Sequence, residues 1–260
     1  MLLLKLLLTP LLTLAVSLAA RIWGHRVSGW LTALPIVAGP IMAVLILEQG
    51  SAFAIDVATG TLITLPALAA YIVAFGYLAQ RSGWMTCLLG AWAAFFVTAA
   101  PLSMIPANPH AALAAAWAGL GAAYLIVPNP KTRAGPVRVP RIEIVLRVAA
   151  AVALMLIITY GAQNLGASVS GLLLSFPIGG SVLPAFTRAL HGVDATEHLL
   201  RGFITGLIPF PLFFYGLAAG LPHAHPVVVF AAALGAMLAS HFLVIVALER
   251  RRAHPDTPAP

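Results

Sequence analysis

Long apolar runs dominate this chain, and they recur at about 20 residues, the length that a helix needs to cross a bilayer. Nine runs are recognisable, at roughly 3–20, 27–47, 54–79, 84–104, 109–128, 142–162, 168–189, 197–219 and 225–248. Hydrophobic residues fill 61% of the 260 positions and charged residues only 8%. A soluble domain carries about a quarter charged residues, because water must wet its surface. The sequence therefore predicts an all-α polytopic membrane protein with a bilayer as its partner.

The basic residues predict the orientation of the chain. With nine spans, Lys5 lies on one side of the membrane and the other thirteen of the fourteen Lys and Arg residues lie on the opposite side. Basic residues collect in cytoplasmic loops. We therefore expect a multi-pass protein of the plasma (inner) membrane, with its N-terminus outside and its C-terminus in the cytoplasm. This distribution accounts for the net charge of +7, and no basic helix indicates a nucleic-acid partner.

An internal repeat relates the two halves of the chain. The segments WGHRVSGWLTALPIVAGP (23–40) and LGASVSGLLLSFPIGGSV (165–182) align without a gap at an offset of 142 residues. The identities include Gly24/Gly166, Val27/Val169, Ser28/Ser170, Gly29/Gly171, Leu31/Leu173, Pro35/Pro177 and Ile36/Ile178, and Gly50/Gly192 and Gly60/Gly202 continue the register.

The repeat unit is four spans, and span 5 connects the two copies. A displacement of five spans is odd, so the second copy should cross the membrane in the opposite direction, as in the inverted repeats of secondary transporters. We expect a first repeat at 1–108, a connecting helix and basic cytoplasmic linker at 109–141, a second repeat at 142–252 and a disordered tail at 253–260.

Proline and glycine interrupt the second span of each copy. Pro35 and Pro177 remove a backbone donor inside an apolar run, and the glycines that follow permit a non-helical backbone. Unwound backbone is tolerated at membrane depth only where protein or a water-filled cavity satisfies it. Two broken helices would therefore meet near the midplane, and the amide groups at their N-termini would favour an anionic or carbonyl-bearing ligand. A plain proline kink with glycines for close packing is the alternative.

This interpretation defines the candidate substrate-binding residues. They are Ser28, Gly29, Pro35, Gly39, Ser170, Gly171, Pro177, Gly179, Gly180 and Ser181, with His241, Arg188 and Arg201 as accessory candidates. Positive-inside charge is the alternative for the two arginines, and a hydrogen bond between helices is the alternative for the histidine.

Other polar residues carry weaker signals. Glu48 and Asp56 are predicted in the outer loop between spans 2 and 3, where they either attract a cation or are simply solvated. Asp194 and Glu197 are typical of a helix start before span 8. Neutral polar groups that either contribute to a site or pack between helices are supplied by Thr61, Thr64, Tyr71, Thr98 and Tyr215. No spacing typical of a metal site, a cofactor loop or a catalytic nucleophile occurs, so we expect no metal, no cofactor and no enzyme activity.

The second copy resembles the GlpM family of small bacterial membrane proteins. The resemblance rests on Gly171-Leu172-Leu173, Phe176-Pro177, Gly192, Leu200-Arg201 and Pro209 or Pro211. It covers about 50 residues of one half; the first half has Leu34 and Thr59 where the pattern has phenylalanine and arginine. Members of that family are about half as long as this chain. The resemblance would therefore imply that this chain is a duplicated or fused protein.

The sequence favours a secondary transporter or permease for a small solute, with alternating access by rocking of the two halves. A non-transporting membrane protein that assembles with or regulates an envelope enzyme is the alternative. The oligomeric state stays open, and a homo-oligomer is compatible with the sequence.

Overall fold

The computed structural model describes residues 37–106, 108–131 and 141–253. Within these ranges every regular element is an α-helix. The helices are α1 (Ala38–Ala79), α2 (Trp84–Ser103), α3 (Pro109–Ile126), α4 (Arg141–Ser175), α5 (Ile178–Leu207), α6 (Phe210–Gly220) and α7 (Pro226–Ala253). Five stretches in this part of the chain are long and apolar enough to cross a membrane. The all-α prediction is confirmed for the described residues. The count of nine spans is not confirmed, and its first span, 3–20, lies outside them.

Three helices are interrupted at a single glycine rather than by a loop. Gly50, Gly166 and Gly192 have φ values of 84°, 73° and 82° with extended ψ values, a combination that is essentially restricted to glycine. They divide α1 into α1a (38–49) and α1b (51–79), α4 into α4a (141–165) and α4b (167–175), and α5 into α5a (178–191) and α5b (193–207). The loops that we expected between spans 2 and 3, 6 and 7, and 7 and 8 are therefore replaced by glycine kinks.

The long helix α1 is the centre of the fold. It packs against α2, α3, α4 and α6, and 67% of its most apolar 18-residue window is buried, as is 72% of the corresponding window within 166–220, compared with 22% for α2, α3 and α7. The peripheral helices expose large apolar side chains, such as Val97 at 75% and Leu125 at 81%. Such a surface is typical of contact with lipid, since soluble monomers rarely expose large apolar patches. The protein is therefore embedded in a membrane.

The two halves share a helical register at the offset of 142 residues. Helix α2 begins at Trp84 and α7 at Pro226. The glycine kinks at Gly50 and Gly192 follow the same offset. So do the buried stripes of the two peripheral helices, which consist of Cys87, Ala91, Phe95 and Ala99 on α2 and Val229, Ala233, Met237 and His241 on α7.

The second half contains one further break. Helix α5 ends at Leu207 and α6 begins at Phe210, because Pro209 and Pro211 disfavour a continuous helix. The Trp117 indole of α3 donates to the Ile208 carbonyl at 3.0 Å, which satisfies a backbone acceptor at the break. In the first half, α1b continues through Pro66 without such a gap.

Candidate functional site at a helix break

The predicted break in the second copy is present, and it is short. Helix α4 ends at Ser175 and α5 begins at Ile178, with Pro177 at φ −80° and ψ 49° between them. The glycines contribute differently from our expectation, because Gly179 and Gly180 are helical and belong to the first turn of α5. A Cβ atom at Gly180 would lie 3.2 Å from Cζ of Phe203, so this glycine allows close packing of α5a on α5b.

The segments α4b and α5a together run alongside α1b, in parallel. Four contacts follow one another along the two helical segments: Thr61 with Gly171, Thr64 with Ser175, Tyr71 with Ser181, and Ala79 with Arg188. Because the residue numbers rise together on both sides of these contacts, the two segments run in the same direction. The break therefore faces the middle of α1b, between Thr64 and Tyr71.

A glycine pair sets how closely these helices approach. A Cβ atom added to Gly171 would lie 2.8 Å from the Val57 carbonyl oxygen and 2.9 Å from the Gly60 carbonyl carbon. The Thr61 hydroxyl reaches across this crossing to the Gly171 carbonyl at 3.2 Å, and it also bonds to the Val57 carbonyl at 2.8 Å. The predicted site residue Gly171 thus brings two backbones together, and it is helical rather than unwound.

Buried hydroxyl groups line the approach to the break. Thr64 and Ser175 join their side-chain oxygens at 2.8 Å. Ser181, a predicted site residue, donates to the Pro177 carbonyl at 2.6 Å and accepts from the Trp92 indole at 2.9 Å. Ser170, also predicted, donates to the Gly166 carbonyl at 2.8 Å. The structure therefore brings Ser181 and Pro177 together, whereas Ser170 is used at the preceding kink.

The Tyr71 hydroxyl is the exception in this polar region. Its side chain is fully buried and its oxygen lies beside Ser181, yet within the described residues it has no hydrogen-bond partner of acceptable geometry. A buried polar group without a partner costs about 1–3 kcal/mol. Within the described residues, this hydroxyl is therefore free to donate a hydrogen bond next to the break.

Aromatic rings hold the break in place on its other side. The Phe176 ring lies 5.5 Å from Trp92 and 5.1 Å from both Phe95 and Phe96, measured between ring centroids. Such ring pairs add about 0.5–1.5 kcal/mol each to the free energy of burial. Helix α2 therefore fixes the residue that precedes Pro177.

The remaining predicted residues lie away from the break or outside the described part of the chain. Ser28, Gly29 and Pro35 fall outside it. Gly39 is buried in the first turn of α1a. His241 is 8% exposed on α7, close to the backbone of Gly206.

The two accessory arginines bind backbone carbonyls where other helices end. Arg188 donates to the carbonyls of Ala79 and Ser82 at 2.9 and 2.8 Å. Arg201 donates to those of Val127 and Pro128 at 2.8 and 3.2 Å. A cation at a helix C-terminus stabilises the unpaired carbonyls there, so both guanidinium groups help to join helices.

Several residues at the break were not among the candidates. Trp92 and Ser175 carried no usable signal, since their partners are distant in sequence. Thr61, Thr64 and Tyr71 did carry one, because spacings of three and seven place them on one face of a helix.

The acidic residues lie on helices rather than in loops. Glu48 and Asp56 flank the Gly50 kink inside α1. Asp194 does follow a helix restart at Gly192, as predicted. Glu197 lies deeper, 3% exposed, and accepts from the Gln80 amide at 3.1 Å.

Comparison with protein-family models, with curated proteins and with solved structures finds no match. The resemblance of the second half to the GlpM family stays a prediction from the residues given above.

Proposed function

We propose that this protein is a secondary transporter or permease that moves a small anionic or carbonyl-bearing solute across the membrane. The proposed binding site is the break between α4 and α5, together with the face of α1b that carries Thr64 and Tyr71. Two inverted four-helix repeats would rock against each other around this site.

The observation that carries the proposal is the buried Tyr71 hydroxyl, which lies beside Ser181 but has no hydrogen bond of acceptable geometry within the described residues. It lies at the start of α5, where the first amide groups of the helix have no partner within the helix. All of these groups are donors, and the helix dipole adds positive charge at the same end. A carboxylate, phosphate or carbonyl oxygen is the chemistry that such a set of donors binds.

The shared register of the two halves supports the repeat on which the transport mechanism rests. Equal spacing of helix starts, kinks and buried stripes is expected of a duplicated unit. A midplane site between two such units is the common plan of inverted-repeat transporters.

The substitution Tyr71→Phe tests the site by separating stability from transport. It removes one hydroxyl that has no hydrogen-bond partner in the described part of the chain, so we expect the variant to be as stable as the wild type or up to about 1 kcal/mol more stable. Uptake into proteoliposomes, measured with a panel of radiolabelled small carboxylates and phosphate, should fall at least about tenfold for the transported probe, since a lost hydrogen bond to a charged group costs about 1.5–3 kcal/mol.

Tyr215→Phe is the matched control. Its hydroxyl bonds to His110 at 3.0 Å on the periphery of the bundle, so this variant should lose a little stability and keep its uptake. Unchanged uptake in folded Tyr71→Phe would refute the site. If the wild type takes up none of the probes, the result favours the alternative function, a non-transporting partner of an envelope enzyme.

A further inference from the structure

A cleft of about 500 Å³ opens near the N-terminal end of α1b, away from the start of α5. Its polar lining consists of Asp56 and Thr59 on α1b, Ser103 at the end of α2 and Ser168 on α4b. Gly60 forms part of its wall, at the crossing of α1b with α4b. This volume is within the range of small-molecule sites, about 300–1,000 Å³.

Among the described residues that line the cleft, Asp56 is the one with a formal charge, and this charge is negative. The other polar groups are neutral hydroxyls, which donate or accept hydrogen bonds. The rest of the wall is apolar and includes Ile63, Met104 and Ile105. One carboxylate above apolar walls is complementary to a cation with an apolar body.

The cleft and the helix break are separate places. Ser168 lines the cleft on α4b, and Phe176, directly after the end of that helix, follows it by eight residues. At about 1.5 Å per helical residue, the two positions lie about 12 Å apart along the helix. The break offers donors and the cleft offers a carboxylate, so the two sites select opposite charges.

We propose that the Asp56 cleft binds a small organic cation, an ammonium group carrying a short apolar chain. The ammonium group pairs with the Asp56 carboxylate and bonds to the Thr59, Ser103 or Ser168 hydroxyls, while the chain lies against the apolar wall. This binding site is independent of the solute site at the break, and it exists whether or not the protein transports.

Isothermal titration calorimetry with n-butylammonium chloride tests this inference. The full-length protein is held in phosphatidylcholine nanodiscs, and the heat from empty nanodiscs is subtracted. Shortening the probe to n-propylammonium should weaken binding about fourfold, the effect of one methylene group. The neutral n-butanol and the anionic butyrate should bind at least about tenfold more weakly, because they cannot pair with a carboxylate.

Three variants complete the experiment. Asp56→Asn keeps the shape of the side chain and should weaken n-butylammonium binding about tenfold. Ala167→Trp places a large side chain in the cleft wall and should weaken it by at least as much. Glu48→Gln is the matched control, since it removes an exposed carboxylate of the same helix that does not line the cleft.

The inference is overturned if the wild type fails to bind n-butylammonium at 10 mM or less, roughly the affinity expected from one ion pair and a short chain. It is also overturned if Asp56→Asn binds within about twofold of the wild type, or if Glu48→Gln loses as much affinity as Asp56→Asn, since neither result fits a specific ion pair. Size-exclusion chromatography confirms that each variant is folded. None of these results depends on uptake, so the proposed function stands or falls separately.

Discussion

The first and second halves of the molecule share the positions of several helical features but differ in their buried polar side chains. The starts of α2 and α7, the kinks at Gly50 and Gly192, and the buried stripes of α2 and α7 coincide at the offset of 142 residues. On the central helix, however, Thr61, Thr64 and Tyr71 correspond to Phe203, Gly206 and Phe213 at the same offset. The polar groups are concentrated where α1b meets α4b and α5a. Two parts of the chain can therefore share backbone geometry at this offset while only one of them carries polar contacts between helices.

The largest expected effect is at the glycine crossing of α1b with α4b. In Gly171→Leu, the new Cβ atom would overlap the backbone of α1 at 2.8–2.9 Å, and backbone cannot move aside as a side chain can. Overpacking typically costs about 1–3 kcal/mol and occasionally more, so we expect a loss of about 3 kcal/mol or more, visible as lost folded protein in fluorescence-detected chromatography.

Gly121→Leu is the control for that variant. A Cβ atom there meets no atom of the described residues within 4 Å, and the substitution should leave the yield of folded protein unchanged. Equal yields for both variants would mean that the close crossing does not form.

The second effect compares the two glycine kinks directly. Gly50→Ala and Gly192→Ala force alanine into a backbone region that costs about 1–3 kcal/mol, while the added methyl group meets no neighbour at either position. We expect both variants to lower the midpoint of thermal unfolding by similar amounts. Gly235→Ala on α7, which also meets nothing, should be neutral or stabilising. A cost at one kink only would break the structural equivalence of the halves.

The smallest effect concerns the hydroxyl pair next to the break. Thr64→Val removes the 2.8 Å bond to Ser175, whose hydroxyl keeps its bond to the Leu172 carbonyl at 2.9 Å. We expect a loss of about 1 kcal/mol in the free energy of unfolding, measured by denaturant titration in micelles. Thr98→Val should cost less, because within the described residues that hydroxyl bonds to the Ala94 carbonyl of its own helix alone, at 2.8 Å. If Thr98→Val costs the same, the interhelical bond contributes nothing.

Much of this helical arrangement follows from the sequence, because the matching positions of the two halves are mainly glycine and proline residues. The offset relating Pro35 to Pro177 also relates the kinks and the helix starts. The break before α5 was predictable from Pro177. A sequence pattern does not separate a loop from a single-glycine kink, since both place glycine between apolar runs, and so Gly50, Gly166 and Gly192 were misassigned.

The side-chain chemistry of the site was less predictable. The unpaired state of Tyr71 depends on where Ser181 sits, about a hundred residues later in the chain. The same holds for the Trp92–Ser181 bond. Helical periodicity identifies which residues share a face, but it does not identify the partner helix that covers them.

Alternating exposure of the break is the central claim, and cysteine accessibility measures it most directly. The variant Ser181→Cys is made in a Cys87→Ser background, which removes the one native cysteine. It is then treated with a membrane-impermeant thiosulfonate from either side of sealed vesicles, with Ser168→Cys in the open cleft as a control that should react from one side. We expect Ser181→Cys to react from both sides, because the proposed transport mechanism requires the site to face each side in turn. Reaction from one side only, or from neither side while the control reacts, would contradict the account.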